Sequence, residues 1–314
     1  MSQQNAQFAK ETDKKGAFVR QQSAFRNHVT ADGSSGYPAE AGRYHLYVSL
    51  ACPWAHRTII YRKLKGLEGA VSLSVVDPIR DEKGWAFREG RGHGADPING
   101  FAFLSEAYRK TDPNFADRVT VPVLWDKQQG HIVNNESSEL IRMLNSEFNA
   151  FGNAEVDFYP ETLRGEIDEL NGFIYPAIND GVYKCGFAAS QEAYDEAFRT
   201  LFAALDKLEE RLATRRFLAG ARQTEADWRL FTTLVRFDAV YVTHFKTNLR
   251  RIADYPNLWG YLRDLYQTPG VAETVDFDHI KRHYFVTHRR INPLGIVPNG
   301  PAIDFDEPHG REGR

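Results

Sequence analysis

Residues 43–57 read RYHLYVSLACPWAHR, and the pattern changes character at Cys52. Up to Leu50 the segment is aromatic and β-branched with partial alternation, which predicts a strand. Pro53 suits the first turn of a helix, and the helical pattern continues to about Lys65. Val71–Val76, VSLSVV, predicts a second strand after that helix. Strand, helix, strand implies a right-handed parallel unit with Cys52 at its crossover. There the unpaired N–H groups and dipole of a helix start favour the thiolate, the nucleophilic form of cysteine. The competing reading is a small buried hydrophobe at a strand end.

Residues 77–118 are irregular and Gly-rich with Trp85 and Phe87 embedded, long enough to be a functional loop or an insertion. Val119–Trp125, VTVPVLW, predicts a third strand, in which Pro122 marks an edge, a strand start or a cis turn. A short fourth strand near His131–Val133 leads through Asn134-Asn135-Glu136-Ser137 into a helix, Ser138–Leu144. This order is that of a thioredoxin-like fold. After residues 145–157 only helical periods remain. Tyr194, Phe198, Leu201, Leu205, Leu208 and Leu212 form one amphipathic stripe. Thr224-Glu225-Ala226-Asp227 resembles a capping box, with Asp in place of Glu or Gln, and opens a helix over Trp228–Phe245. That helix is apolar on more than one side and should be central to its domain. Pro256 starts another helix, and a last helical piece covers about Phe277–Phe285. The expected class is α/β plus all-α. The expected parts are an N-terminal arm without a motif (1–42), a thioredoxin-like domain with a long insertion loop (43–150), an all-helical domain (158–290) and a C-terminal tail (291–314).

The 314 residues are 42% hydrophobic and 26% charged, with a net charge of −3, so no global positive field exists to hold nucleic acid. Lys281-Arg282 reads as a solvated face. No run approaches the roughly 18 apolar residues of a membrane span, and residues 1–40 carry no apolar signal core. Two cysteines cannot form a disulfide framework, which fits a reducing compartment, the cytoplasm. Cys185 reads as a packed core residue. Ala55 stands where a dithiol oxidoreductase carries its second Cys, so a mixed disulfide on Cys52 needs an outside thiol such as glutathione. His56 either tunes Cys52 or packs. His279 and His283, four apart on a helix, are too few for a metal site and read as surface or interface residues. The Gly90, Gly92, Gly94 run lacks the strand and helix of a dinucleotide loop.

Cys52-Pro53-Trp54-Ala55-His56-Arg57, heading a thioredoxin-like half followed by an all-helical half, resembles the cysteine-type glutathione transferases over nearly the whole chain. Gly84-Trp85-Ala86-Phe87, the Arg118–Asp126 run, Asn135-Glu136-Ser137, and Ile174-Tyr175-Pro176 with Gly181-Val182-Tyr183-Lys184 resemble the glutathionyl-hydroquinone reductases, the Xi class. The resemblance implies a thioredoxin-like domain followed by a helical glutathione-transferase domain, glutathione as co-substrate, no metal, and a homodimer. It implies that Cys52 is the nucleophile and that Val121, before a cis Pro122, presents its backbone to the cysteinyl part of glutathione. Glu136 and Ser137 take the γ-glutamyl end, Trp85 covers the tripeptide and Arg118 lies at its edge. Tyr183, Tyr241 and Tyr284 serve the cysteine from the helical domain, with Tyr183 the preferred proton donor. Read without the resemblance, Glu136-Ser137 is a helix cap, Trp85 a loop anchor and Tyr241 a core residue. The implied activity is reduction of glutathionyl-hydroquinones through a Cys–glutathione mixed disulfide, releasing GSSG. The alternatives are an omega-like thioltransferase or dehydroascorbate reductase, and a non-catalytic binding module on the same fold.

Overall fold

β1 (Tyr44–Val48) is buried at every position and forms the centre of a sheet that also holds β2 (Ser72–Val75), β3 (Val123–Asp126) and β4 (His131–Asn134). In this computed structural model, which describes residues 11–314, the sheet order is β2-β1-β3-β4. β1 runs parallel to β2, with His45 opposite Ser72, and antiparallel to β3, with Tyr47 opposite Val123. α1 (Pro53–Leu64) is the crossover between β1 and β2, as expected of a strand, helix, strand unit, and packs against α3 (Ser137–Ser146). The third strand is shorter than its sequence suggests. It begins at Val123, because Pro122 has no N–H to give a ladder.

Within residues 77–118, α2 (Leu104–Thr111) corrects the expectation of an irregular segment. Leu104, Ala107 and Tyr108 are buried, and Glu106 Oε1 accepts the N–H groups of Ala102 and Phe103, each at 2.9 Å. Eight residues give a weak periodic signal amid Gly and charge. Of the arm expected over 1–42, residues 1–10 lie outside the described residues. Residues 25–27 pair with the outer edge of β4: Asn27 N–H donates to Val133 O and Asn135 N–H to Phe25 O, both at 3.0 Å. The arm thus covers an edge that would otherwise offer open backbone groups. Together with Asp278–His283, residues 21–157 make one compact unit.

The other unit holds residues 11–20, 158–277 and 284–314. Its helices are α4 (Arg164–Ile174), α5 (Gly181–Gly186), α6 (Gln191–Leu212), α7 (Glu225–Arg236), α8 (Val242–His244) and α9 (Pro256–Tyr266). α10 (Phe277–Arg282) carries the chain between the units. α7 is buried along its whole length, in keeping with its two apolar stripes. It begins where Asp227 reaches back to accept the Thr224 N–H at 2.7 Å. The helix is not continuous to Phe245: a π-helical turn, Phe237–Tyr241, separates α7 from α8. Similar turns follow α4 (Tyr175–Asn179) and α10 (His283–Thr287). In the tail, the buried Arg311 guanidinium donates to the carbonyls of Leu212 at 3.1 Å and Arg216 at 2.9 Å, capping the end of α6.

Candidate active site

Cys52 is the N-cap of α1, with extended backbone (φ −78°, ψ 123°) and Pro53 directly after it. Extended geometry is what the residue before proline prefers, so the dipeptide itself fixes where the helix starts. The Cys52 carbonyl takes the His56 N–H at 2.9 Å, while its side chain leaves the helix and is partly exposed. Sγ lies 3.6 Å from the carbonyl oxygen of Val121, the residue before the cis proline and just outside the β3 ladder. The Cys52 sulfur therefore sits against a short piece of backbone outside the ladder. Such an edge can take the main chain of an extended peptide.

Glu136 and Ser137 open α3 in the same unit. Glu136 caps the helix as its sequence position suggests: Oε1 accepts Ser138 N–H at 3.0 Å and Ser138 Oγ–H at 2.8 Å. Its other oxygen accepts Ser23 Oγ–H at 2.9 Å. Burial pushes this carboxyl up, but the Ser138 and Ser23 hydrogen bonds and the Arg57 charge outweigh it and hold Glu136 below the ordinary glutamate range. Glu136 is thus held as a carboxylate. Ser137 is buried and its Oγ accepts from Arg57 Nη1 at 3.3 Å, which ties the starts of α1 and α3 together. Helix-start N–H groups, a hydroxyl and a guanidinium on one side and a carboxylate beside them suit an amino-acid end with its carboxylate and ammonium. Arg118 exchanges two hydrogen bonds with Gln21, its N–H to Oε1 at 3.0 Å and its carbonyl from Nε2 at 3.1 Å. Ser23, Gln21 and Arg57 were not singled out by the sequence. The arm has no periodicity to flag its contacts, and Arg57, though it closes the Cys52–Arg57 motif, carries no spacing that points to Ser137.

Trp85 is 5% exposed, on the loop after β2, where its carbonyl accepts Leu104 N–H at 2.9 Å. Of the two readings offered for His279 and His283, surface or interface, the surface one does not hold. Both are buried, because their ring N–H groups satisfy carbonyls of this loop. His56 is also fully buried. Among the described residues no group of three His, Cys, Asp or Glu side chains is placed to hold a metal ion.

The second unit brings the three tyrosines together. Tyr284 Oη lies 2.5 Å from Tyr183 Oη and 3.0 Å from Tyr241 Oη, so the hydroxyls form a chain with Tyr284 in the middle. Burial first, then the neighbouring Tyr183 and Tyr241, pushes the Tyr284 phenol well above the usual tyrosine range, and Arg236 opposes this only in part. Tyr183 is 8% exposed, against 1% or less for its partners. Arg20 and Phe18, from the arm, pack on Tyr183: the guanidinium is 4.8 Å from its ring centroid and is held by Asp180 at 2.7 Å. Cys185, two residues further along α5, is buried, and burial pushes its thiol up to about 12.

Residues 51–147 match the family described as glutathione S-transferase, N-terminal domain, and residues 191–264 match glutathione S-transferase, C-terminal domain. The chain belongs to the glutathione S-transferase family, in its Xi class, whose members include the glutathionyl-hydroquinone reductases. It is 57% identical to glutathionyl-hydroquinone reductase YqjG of Escherichia coli (strain K12), over 95% of this chain and 93% of that protein. The glutathione-bound structure of YqjG superposes with a TM-score of 0.91, covering 92% of this chain and 96% of that one. Glutathionyl-hydroquinone reductase PcpF of Sphingobium chlorophenolicum is 52% identical over 91% and 90%. A Xi-class enzyme from Natrialba magadii has a TM-score of 0.90 at 53% identity, covering 91% and 88%.

Proposed function

We propose that this protein reduces glutathionyl-hydroquinones to hydroquinones, with glutathione as co-substrate and Cys52 as nucleophile. The observation that carries the reading is the 3.6 Å approach of Cys52 Sγ to the Val121 carbonyl. Glutathione whose cysteinyl backbone pairs with Val121 would bring its own sulfur to Cys52. Glu136 then receives the γ-glutamyl ammonium, Ser137 and the α3 start receive its carboxylate, Trp85 covers the tripeptide and Arg118 borders it.

Attack on an aryl-bound sulfur needs the ring carbon to leave with an electron pair, which an intact aromatic ring resists. A phenol proton delivered to that carbon, with loss of a proton from a ring hydroxyl, gives the keto tautomer. Cys52 thiolate then forms an S–S bond as the C–S bond breaks. The electron pair moves through the ring to the carbonyl oxygen, which takes a proton as the ring becomes aromatic again. Tyr183 is the assigned donor, with Tyr284 and Tyr241 supporting its hydroxyl. A second glutathione attacks the mixed disulfide, releasing GSSG and restoring Cys52, since Ala55 leaves no internal thiol for that step. No metal takes part in this scheme. We place the protein in the cytoplasm, where free thiols such as Cys52 and Cys185 persist, and assign it a homodimeric state by analogy within the superfamily.

The test is incubation with a glutathionyl-hydroquinone and excess glutathione, following hydroquinone and GSSG by chromatography. Equal yields of the two are expected. Reduction of small mixed disulfides without hydroquinone release would replace the reading by a thioltransferase, and no turnover of either would leave a binding module.

A further inference from the structure

The loop between β2 and α2 has little ladder of its own, so its carbonyls need donors from elsewhere. Two of them are met by His279, in α10, and His283, which opens the π-helical turn after it. His283 Nδ1 lies 2.7 Å from Pro78 O, and His279 Nε2, one turn earlier, lies 2.6 Å from Arg91 O. A carbonyl only accepts, so each of these ring nitrogens carries the proton. Trp85 lies between the two anchored positions, and its indole stacks on the His283 imidazole with centroids 5.0 Å apart and planes 20° from parallel. Arg91 adds an ion pair to Asp278 at 3.4 Å, and the His93 ring meets His279 edge-on at 5.5 Å.

We propose that His283 is a positioning residue for glutathione: by stacking on Trp85 and holding Pro78, it fixes the indole as a preformed wall of the glutathione site, with His279 latching the far limb of the same loop. The inference rests on the reading of Trp85 as a glutathione contact. Its physical content is pre-organisation. An aromatic wall ordered in advance spares the ligand the cost of immobilising it, roughly 0.5–1.5 kcal/mol for one side chain. That saving appears in binding and leaves the chemical step alone. The glutathionyl group is common to both substrates, so the effect should appear in both KM values.

The two contacts of His283 separate by substitution. His283→Asn can keep a donor near the Nδ1 position while losing the stacked ring, and His283→Phe keeps the ring while losing the donor. His279→Leu removes the second anchor, and His279→Gln restores a donor near Nε2. The experiment measures the glutathione Kd by calorimetry, KM and kcat for both substrates, and the thermal midpoint, with Trp85→Ala as reference. We expect both His283 variants to raise Kd and both KM values by about 3- to 10-fold, the range set by that ordering cost. kcat should stay within about two-fold. His279→Gln should recover most of the affinity lost in His279→Leu. If Trp85→Ala weakens glutathione but both His283 variants bind like the parent protein, the latch is wrong and the site stands. A drop in kcat with KM unchanged also overturns it. If Trp85→Ala leaves Kd unchanged, the glutathione role of Trp85 falls, and the latch with it. A His283 variant that fails to fold leaves the decision to the His279 pair, where equal KM values in both variants would overturn the latch.

Discussion

Cys52 and Cys185 place the same side chain in opposite settings. Cys52 is partly exposed at a helix start, whereas Cys185 is buried and its thiol is pushed up to about 12. Cys185→Ala should therefore keep turnover within about two-fold, while Cys52→Ala loses nearly all of it. With substrate but no added glutathione, the parent protein should stop after one turnover, carrying one extra glutathionyl mass on Cys52. Inactivity of a folded Cys185→Ala variant would misplace the site. The tyrosines separate two chemistries at the same sulfur. Disulfide exchange needs only a thiolate and a leaving sulfur, whereas C–S cleavage also needs a proton on carbon. Tyr183→Phe should lower hydroquinone release by roughly 10²- to 10⁴-fold and leave reduction of a small mixed disulfide within several-fold. Equal loss of both reactions in Tyr183→Phe, Tyr241→Phe and Tyr284→Phe would make the triad structural.

Among the helices, much of what was hidden in the sequence comes from the π-helical turns. Such a turn holds an extra residue, so a 3.6-residue wheel drawn through it misassigns every side chain beyond it. Tyr241 ends one such turn and Tyr284 lies in another. Periodicity still reads Tyr241 as core, and its stripe mates Leu230, Leu234 and Phe237 are buried with it. Tyr241 is indeed fully buried, but its hydroxyl belongs to the triad. The start of α7 was legible, because a capping pattern is local. There the Asp227 carboxylate accepts four bonds: Thr224 N–H (2.7 Å), Thr224 Oγ–H (2.9 Å), Leu218 N–H (2.9 Å) and Tyr261 Oη–H (2.8 Å). Burial pushes this carboxyl up, against the pull of those donors. Asp227→Ala strands buried donors and should cost about 3 kcal/mol or more, read as a lowered urea midpoint. A change below about 1 kcal/mol would show that water replaces the carboxylate.

For the molecule as a whole, two buried histidines set a pH limit. Burial pushes His45, in the sheet, and His244, in α8, each down to about 4. Unfolded histidine titrates near 6.5, so below that value the unfolded chain binds more protons than the folded one. Stability should fall as pH drops from about 6.5 toward 4, by up to about 3 kcal/mol for each histidine. Urea midpoints at pH 7.5, 6 and 5 check this, and His45→Asn and His244→Asn should flatten the slope. A flat profile between pH 6.5 and 5 would mean that both rings take up protons without cost. Sedimentation at micromolar concentration should give a dimer; a monomer would remove the proposed assembly.

The strand and helix around Cys52, the absence of a second thiol at Ala55 and the change to helical periods after residue 157 are properties of short windows. Residue type and spacing alone determined them. What meets Cys52 was decided by tertiary structure. Val121 is 69 positions away, Ser23 reaches Glu136 from an arm with no pattern, and His283 meets a loop some two hundred residues earlier. Nor does spacing single out Tyr183, Tyr241 and Tyr284 among 14 tyrosines. A hydrogen bond between distant residues leaves no period in the sequence. It exists only once the fold has closed the chain between its partners.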